Sequence, residues 1–165
     1  MTKMGSNVAL ALLGGALVLA QPARADIGCW NSEQTAAAKL RDLQSRLMVA
    51  SLRCRAIGID VLAPYNAFVS VNRTTLQAAN GVLKAQFEAG YGAEGQSAYD
   101  RFTTALANEY GADATTDAVC AETADVALEA AEAEGDVRRL LALADRFGPA
   151  PELPGGECPI VFSAR

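Results

Sequence analysis

From Ser32 onward, apolar and small residues recur at helical spacing. Ala36, Leu40, Leu43, Leu47, Ala50, Cys54 and Ile57 alternate by four and three, which is a single seam along one helix of ~25 residues. Ser32 stands where an N-cap belongs, and Gly58 can end the helix in a left-handed turn. Lys39, Arg41, Asp42 and Arg46 lie off the seam. The pattern fits a coiled coil or, more commonly, a long helix packed in its own bundle. Pro64 opens a second helical stretch. There Tyr65, Phe68, Leu76, Ala79, Leu83 and Phe87 share a stripe with the polar Asn72, which predicts a break near residues 72–75.

Gly90, Tyr91 and Gly92 read as a turn. A third helix carries Tyr99, Phe102, Leu106 and Tyr110 and ends at Gly111. A fourth, from Thr116, places Cys120, Ala124, Ala127 and Ala131 on one face and is interrupted at Gly135. A short fifth carries Val137, Leu140, Leu141, Ala144 and Phe147, and a Pro/Gly-rich extended tail begins at about residue 148. No stretch alternates with a period of two, so no sheet is expected. The prediction is an all-α bundle of four to five helices forming one domain over residues 26–165.

Residues 1–25 carry Lys3, an apolar run over 8–20 and the small residues Ala23 and Ala25 around Arg24. Basic start, short apolar core and A-x-A form the pattern of a cleavable secretory signal. The run is too short to span a bilayer, which needs ~20 residues. Asp26 stands where a lipobox ahead of Cys29 would need an apolar residue. The expected location is therefore periplasmic or secreted, with no membrane span after cleavage.

That location changes the reading of the cysteines. Cys29, Cys54, Cys120 and Cys158 include no CxxC pair, and an even set in an exported chain predicts two disulfides. Cys54 and Cys120 lie on helical stripes, whereas Cys29 and Cys158 lie in non-helical ends. Of three connectivities, this favours Cys54–Cys120 inside the bundle and Cys29–Cys158 tying the ends together. Each closes a long loop, worth ~4 kcal/mol in the chain-entropy model.

The chain has no histidine. Ser-His-Asp and Cys-His machinery, His-ligated metals and CxxCH haem attachment are excluded, and no cofactor or metal is implied. Carboxylate chemistry stays open. Residues 26–87 hold seven Lys/Arg against four Asp/Glu, a balance of +3; residues 88–165 hold five against fifteen, a balance of −10. The resulting −7 argues against a nucleic-acid partner. The basic half can face an anionic partner or the acidic half of its own chain.

Several polar residues are candidate binding groups. Arg53 and Arg55 flank Cys54 and can grip an anion; their ordinary role would be pairing with Glu122, Asp125, Glu129 and Glu132 on the fourth helix. Tyr65, Asn66 and Asn80, and Tyr99, Asp100 and Asn108, can line a pocket or be buried with satisfied hydrogen bonds. Glu88 and Asp100 are the candidate carboxylate pair. Asn72-Arg73-Thr74 matches a glycosylation sequon, a common chance match.

The strings Leu43-Gln-Ser-Arg-Leu-Met-Val-Ala-Ser-Leu-Arg-Cys-Arg55, Tyr65-Asn-Ala-Phe68, Ala79-Asn80 and Tyr99-Asp-Arg-Phe-Thr-Thr-Ala-Leu-Ala-Asn-Glu-Tyr-Gly111, with the spacing of all four cysteines, resemble a family of small exported four-cysteine helical proteins of alphaproteobacteria. Similar chains often carry the label S-adenosyl-L-homocysteine hydrolase. That enzyme is several times longer and cytosolic, and it needs a dinucleotide-binding fold and catalytic histidines that this sequence lacks. The resemblance implies a bacterial periplasmic setting and no chemistry. The expected function is a non-catalytic envelope or binding protein, acting through a cell-envelope protein partner. The alternatives are a histidine-free carboxylate hydrolase of cell-wall glycan and a small-molecule carrier.

Overall fold

Asn31, not Ser32, starts the first helix. Its side chain accepts from the Gln34 backbone N–H while the Gln34 side chain accepts from the Asn31 N–H, a reciprocal capping box. The structure is a computed structural model that describes residues 27–159; the expected signal at residues 1–25 lies outside the described residues. The helices are α1 (Ser32–Ala56), α2 (Leu62–Val71), α3 (Arg73–Tyr91), α4 (Gly95–Gly111), α5 (Asp117–Ala131) and α6 (Val137–Phe147). α2 and α3 are two halves of one bent rod, so five rods make the all-α bundle. The turn expected at Gly90 begins two residues later, because α3 runs to Tyr91 before one 3₁₀ turn over Gly92–Glu94. No strand occurs among the described residues; one parallel bridge joins Trp30 and Glu157.

α1 is the axis of the fold and packs against all five other helices. This departs from the single-seam expectation. Leu40, Leu43, Leu47 and Cys54 are buried as the seam requires, but so are Ala37, Ala38, Asp42, Ser45 and Ser51 on other sides, while Ile57 is exposed. A helix surrounded by neighbours must fill each side with small or internally satisfied groups. Accordingly, the Ser51 hydroxyl donates back to the Leu47 carbonyl. Around α1 the core gathers Phe68, Leu83, Phe87, Phe102, Ala127 and Leu140, and aromatic edges meet at Phe87, Phe102 and Trp30.

The bend between α2 and α3 falls at the predicted place for a specific reason. Asn72 is buried and its carboxamide is engaged on both sides. Its Nδ2 donates to the carbonyls of Phe68 (2.9 Å) and Ala130 (2.8 Å), and its Oδ1 accepts from the Gly135 N–H (2.7 Å). One side chain thus fixes the bend to the end of α5. A carboxamide held in this way is not presented to solvent as a glycosylation acceptor.

Both disulfides join the expected partners, Cys54–Cys120 between α1 and α5 and Cys29–Cys158 between the end segments. They match an oxidising, non-cytoplasmic environment. Trp30 reinforces the second. Its indole N–H donates to the Pro154 carbonyl (2.6 Å), its backbone N–H to Gly156 O (2.9 Å), and its carbonyl accepts from Cys158 N–H (2.8 Å). Gly155 is required at the turn beneath it: φ is +85°, and a Cβ would lie 2.2 Å from the Gly28 carbonyl oxygen. No helix among the described residues is long and apolar enough to cross a membrane.

Candidate functional site

Three of the residues singled out from sequence, Tyr65, Asn80 and Tyr99, come together around a fourth that was not, Arg41. Their elements meet beside the middle of α1. Arg41 and Gln44 project from α1, Val69 from α2, and Arg73, Gln77 and Asn80 from α3, around a groove of about 350 Å³ floored by Leu76. Arg41 Nη1 donates to Gln44 Oε1 (3.0 Å), while Arg41 Nε is shielded from solvent and has no hydrogen-bond partner. At one end, the Tyr99 hydroxyl donates to Asn80 Oδ1. That leaves the Asn80 amide as a donor.

Burial pushes the Tyr65 hydroxyl above its ordinary range, against the smaller opposing effects of Gln44 and the positive charge of Arg41. Burial also raises Tyr99; Arg41 and Asn80 pull it down, and Asp100 pushes it further up. Both tyrosines therefore remain protonated at neutral pH.

The charge of the groove is one-sided. None of its lining residues is acidic. Among the basic residues of the first half, Lys39 pairs with Asp145 at 2.7 Å and Arg46 with Asp42 at 3.5 Å. Arg53 donates to the Tyr110 carbonyl at the end of α4 (2.5 Å). Arg41 and Arg73 take part in none of the ion pairs among the described residues. Nor does Lys84, whose Nζ stands 5.5 Å from the centre of the Tyr99 ring. Two of the cations outside those ion pairs, Arg41 and Arg73, thus meet in the groove.

Arg53 and Arg55 do not form an anion grip. Two residues apart on a helix they point in different directions: Arg53 turns toward Tyr110 and Arg55 is exposed. The expected pairing with α5 is also replaced, because Glu129 pairs with Arg146 of α6. Asn66 and Asn108 are exposed and away from the groove. Asp100 is exposed and accepts from Gln96 (2.8 Å), and Glu88 is exposed near the end of α3.

The carboxylate whose proton affinity is raised is Asp42, chiefly by burial, against the lowering effects of the Tyr110 hydroxyl and Arg46. Asp42 is buried, and the nearby charge of Glu109 adds to the rise. The Tyr110 hydroxyl donates to Asp42. Arg46 stacks on Tyr110 and Phe147 and donates to the carbonyls of Phe147 (2.6 Å) and Pro149 (3.3 Å). This constellation fastens the start of the tail to α1; sequence reading missed it, since Arg46 and Phe147 lie far apart in the chain. No group of three or more Cys, Asp or Glu among the described residues is placed to hold a metal ion.

Two further concavities are larger than this groove. One, of about 790 Å³, lies between α4 and the tail over Phe87, Tyr91 and Phe102, with Arg101, Glu109 and Glu152 at its rim. The other, of about 450 Å³, is lined mostly by Ala36, Ala37, Leu40, Ala78, Val82 and Val137. Compared with known proteins, the chain matches no family model, no curated protein and no solved structure.

Proposed function

We propose that this is a periplasmic or secreted, non-catalytic binding protein that takes a negatively charged group of its ligand in the Arg41 groove. The observation that carries this reading is the acid-free lining: two guanidinium groups and three carboxamide side chains converge where the protein supplies no carboxylate to satisfy them. A guanidinium matches a planar oxyanion with two parallel hydrogen bonds, and carboxamides add directional donors and acceptors. The hydrolase alternative needs two carboxyl groups facing each other across a cleft, one with a raised proton affinity. Asp42, buried against Tyr110 and Arg46, gives that alternative no support.

The test is a titration of the disulfide-bonded protein with sodium galacturonate, followed by backbone amide shifts. Saturable shifts at Arg41, Gln44 and Asn80 are expected, weakened by salt and lost in Arg41→Gln with the rest of the spectrum unchanged. Shifts confined to other surfaces, or undiminished in Arg41→Gln, would overturn the reading. A second reading, docking of an envelope protein, is favoured by the alanine-lined groove at Ala36 and Val137. Val137→Glu would abolish that contact and leave galacturonate binding intact.

A further inference from the structure

The groove does not end at its own rim. Arg73, Gln77, Asn80 and Lys84 follow one another by four, three and four residues, so they share one face of α3. At the helical rise, Arg73 and Lys84 stand about 16 Å apart along the axis. Arg41 sits between them from α1, and the Tyr99 ring lies beneath Lys84 at the far end. The result is a track with a cation at each end and one in the middle, and carboxamides in between. A single small anion fills the centre only.

We infer that the ligand is an acidic oligosaccharide, with a carboxylate on successive sugar rings, lying along α3 from Arg73 to Lys84. This inference rests on the binding function proposed above and adds the class and length of what is bound. Two features favour a sugar over an acidic peptide. Carboxamide side chains pair naturally with neighbouring hydroxyls, each offering a donor and an acceptor. One source of affinity for an extended peptide, pairing with an open sheet edge, is absent, since no strand occurs among the described residues. Asp100, on the flank of Tyr99, sets the negative limit of the track.

The experiment compares galacturonate, tetragalacturonate, neutral maltotetraose and tetraglutamate by calorimetry on the disulfide-bonded protein. Tetragalacturonate is expected to bind roughly tenfold or more tightly than the monomer, because its further contacts become intramolecular once the first has formed. Maltotetraose should not bind. Lys84→Gln, a change outside the lining of the Arg41 groove, should bring the tetramer toward the affinity of the monomer and leave monomer binding unchanged, whereas Arg73→Gln should weaken both. Equal affinities of monomer and tetramer, both lost in Arg41→Gln, would overturn the oligosaccharide while the anion-binding function stands. Stronger binding of tetraglutamate would overturn it in favour of an acidic peptide. Absence of binding by every probe would overturn both.

Discussion

Replacing Gly148 with alanine tests how the tail is fastened. Gly148 has φ 165°, an extended conformation that alanine adopts without strain, so any penalty arises from contact. An added Cβ would lie 1.5 Å from Arg46 Nη1 and 2.5 Å from its Cζ. The guanidinium must leave. With it go the bonds to Phe147 O and Pro149 O, the bond to the Tyr110 hydroxyl (3.0 Å) and the stacking on two rings. Asp42 would then keep a hydrogen bond but lose its cation in a buried place. Hydrogen bonds to a charged group are worth about 1.5–3 kcal/mol each, and water recovers part of the loss, so the net cost is about 2–4 kcal/mol. Urea unfolding should show a lower midpoint at an unchanged slope. The decisive measurement is the same substitution in an Arg46→Ala background, where the obstruction is gone and the cost should fall to near zero. An equal cost in both backgrounds, or a loss below about 0.5 kcal/mol in the first, would refute the argument.

Three other substitutions probe separate parts of the fold. Asn72→Ala should cost about 2–4 kcal/mol in urea unfolding, since it strands the Gly135 N–H and removes donors to Phe68 and Ala130; a cost under about 1 kcal/mol would mean that the bend is held by packing alone. Asp42→Asn should become progressively more stable than wild type as pH rises. The folded Asp42 carboxyl holds its proton above the ordinary 3.8, so the native state binds more protons than the unfolded chain between those two values, and wild-type stability falls as pH climbs through them. Thermal midpoints from pH 3 to 7 should diverge in that direction and then run parallel; convergence with rising pH would contradict it. Gly81→Ala, on the exposed side of α3 with no atom within 4 Å of the new Cβ, should stabilise by about 0.5–1 kcal/mol and leave ligand binding unaltered.

Much of the architecture was legible because it is local. The four-three spacing of Leu40, Leu43 and Leu47 declared α1, and Thr116 marked the start of α5, where its hydroxyl accepts from Val119 N–H. The polar intruder Asn72 announced the bend. Cysteine pairing followed from which cysteines lay on helices. What remained hidden was relational. Asp42 reads as a solvent-facing charge until α4 brings Tyr110 against it. Tyr65, Asn80 and Tyr99 each stood out as polar among apolar residues, but nothing in their spacing pointed to Arg41, because they come from three different helices. Trp30 carried no periodic signal and yet fixes the tail.

The connectivity of the two cystine bridges also bears on how the chain acquires its covalent form. The pairs are nested: Cys54–Cys120 lies wholly inside the segment enclosed by Cys29–Cys158. For an unstructured polymer the shortest rings close most readily, so Cys29 would meet Cys54, and Cys120 would meet Cys158, ahead of either native partner. Oxidation before α1 and α5 have docked therefore yields scrambled species that thiol–disulfide exchange must repair. The outer bridge unites Cys29 with Cys158, so its formation has to await delivery of all 129 positions that separate them.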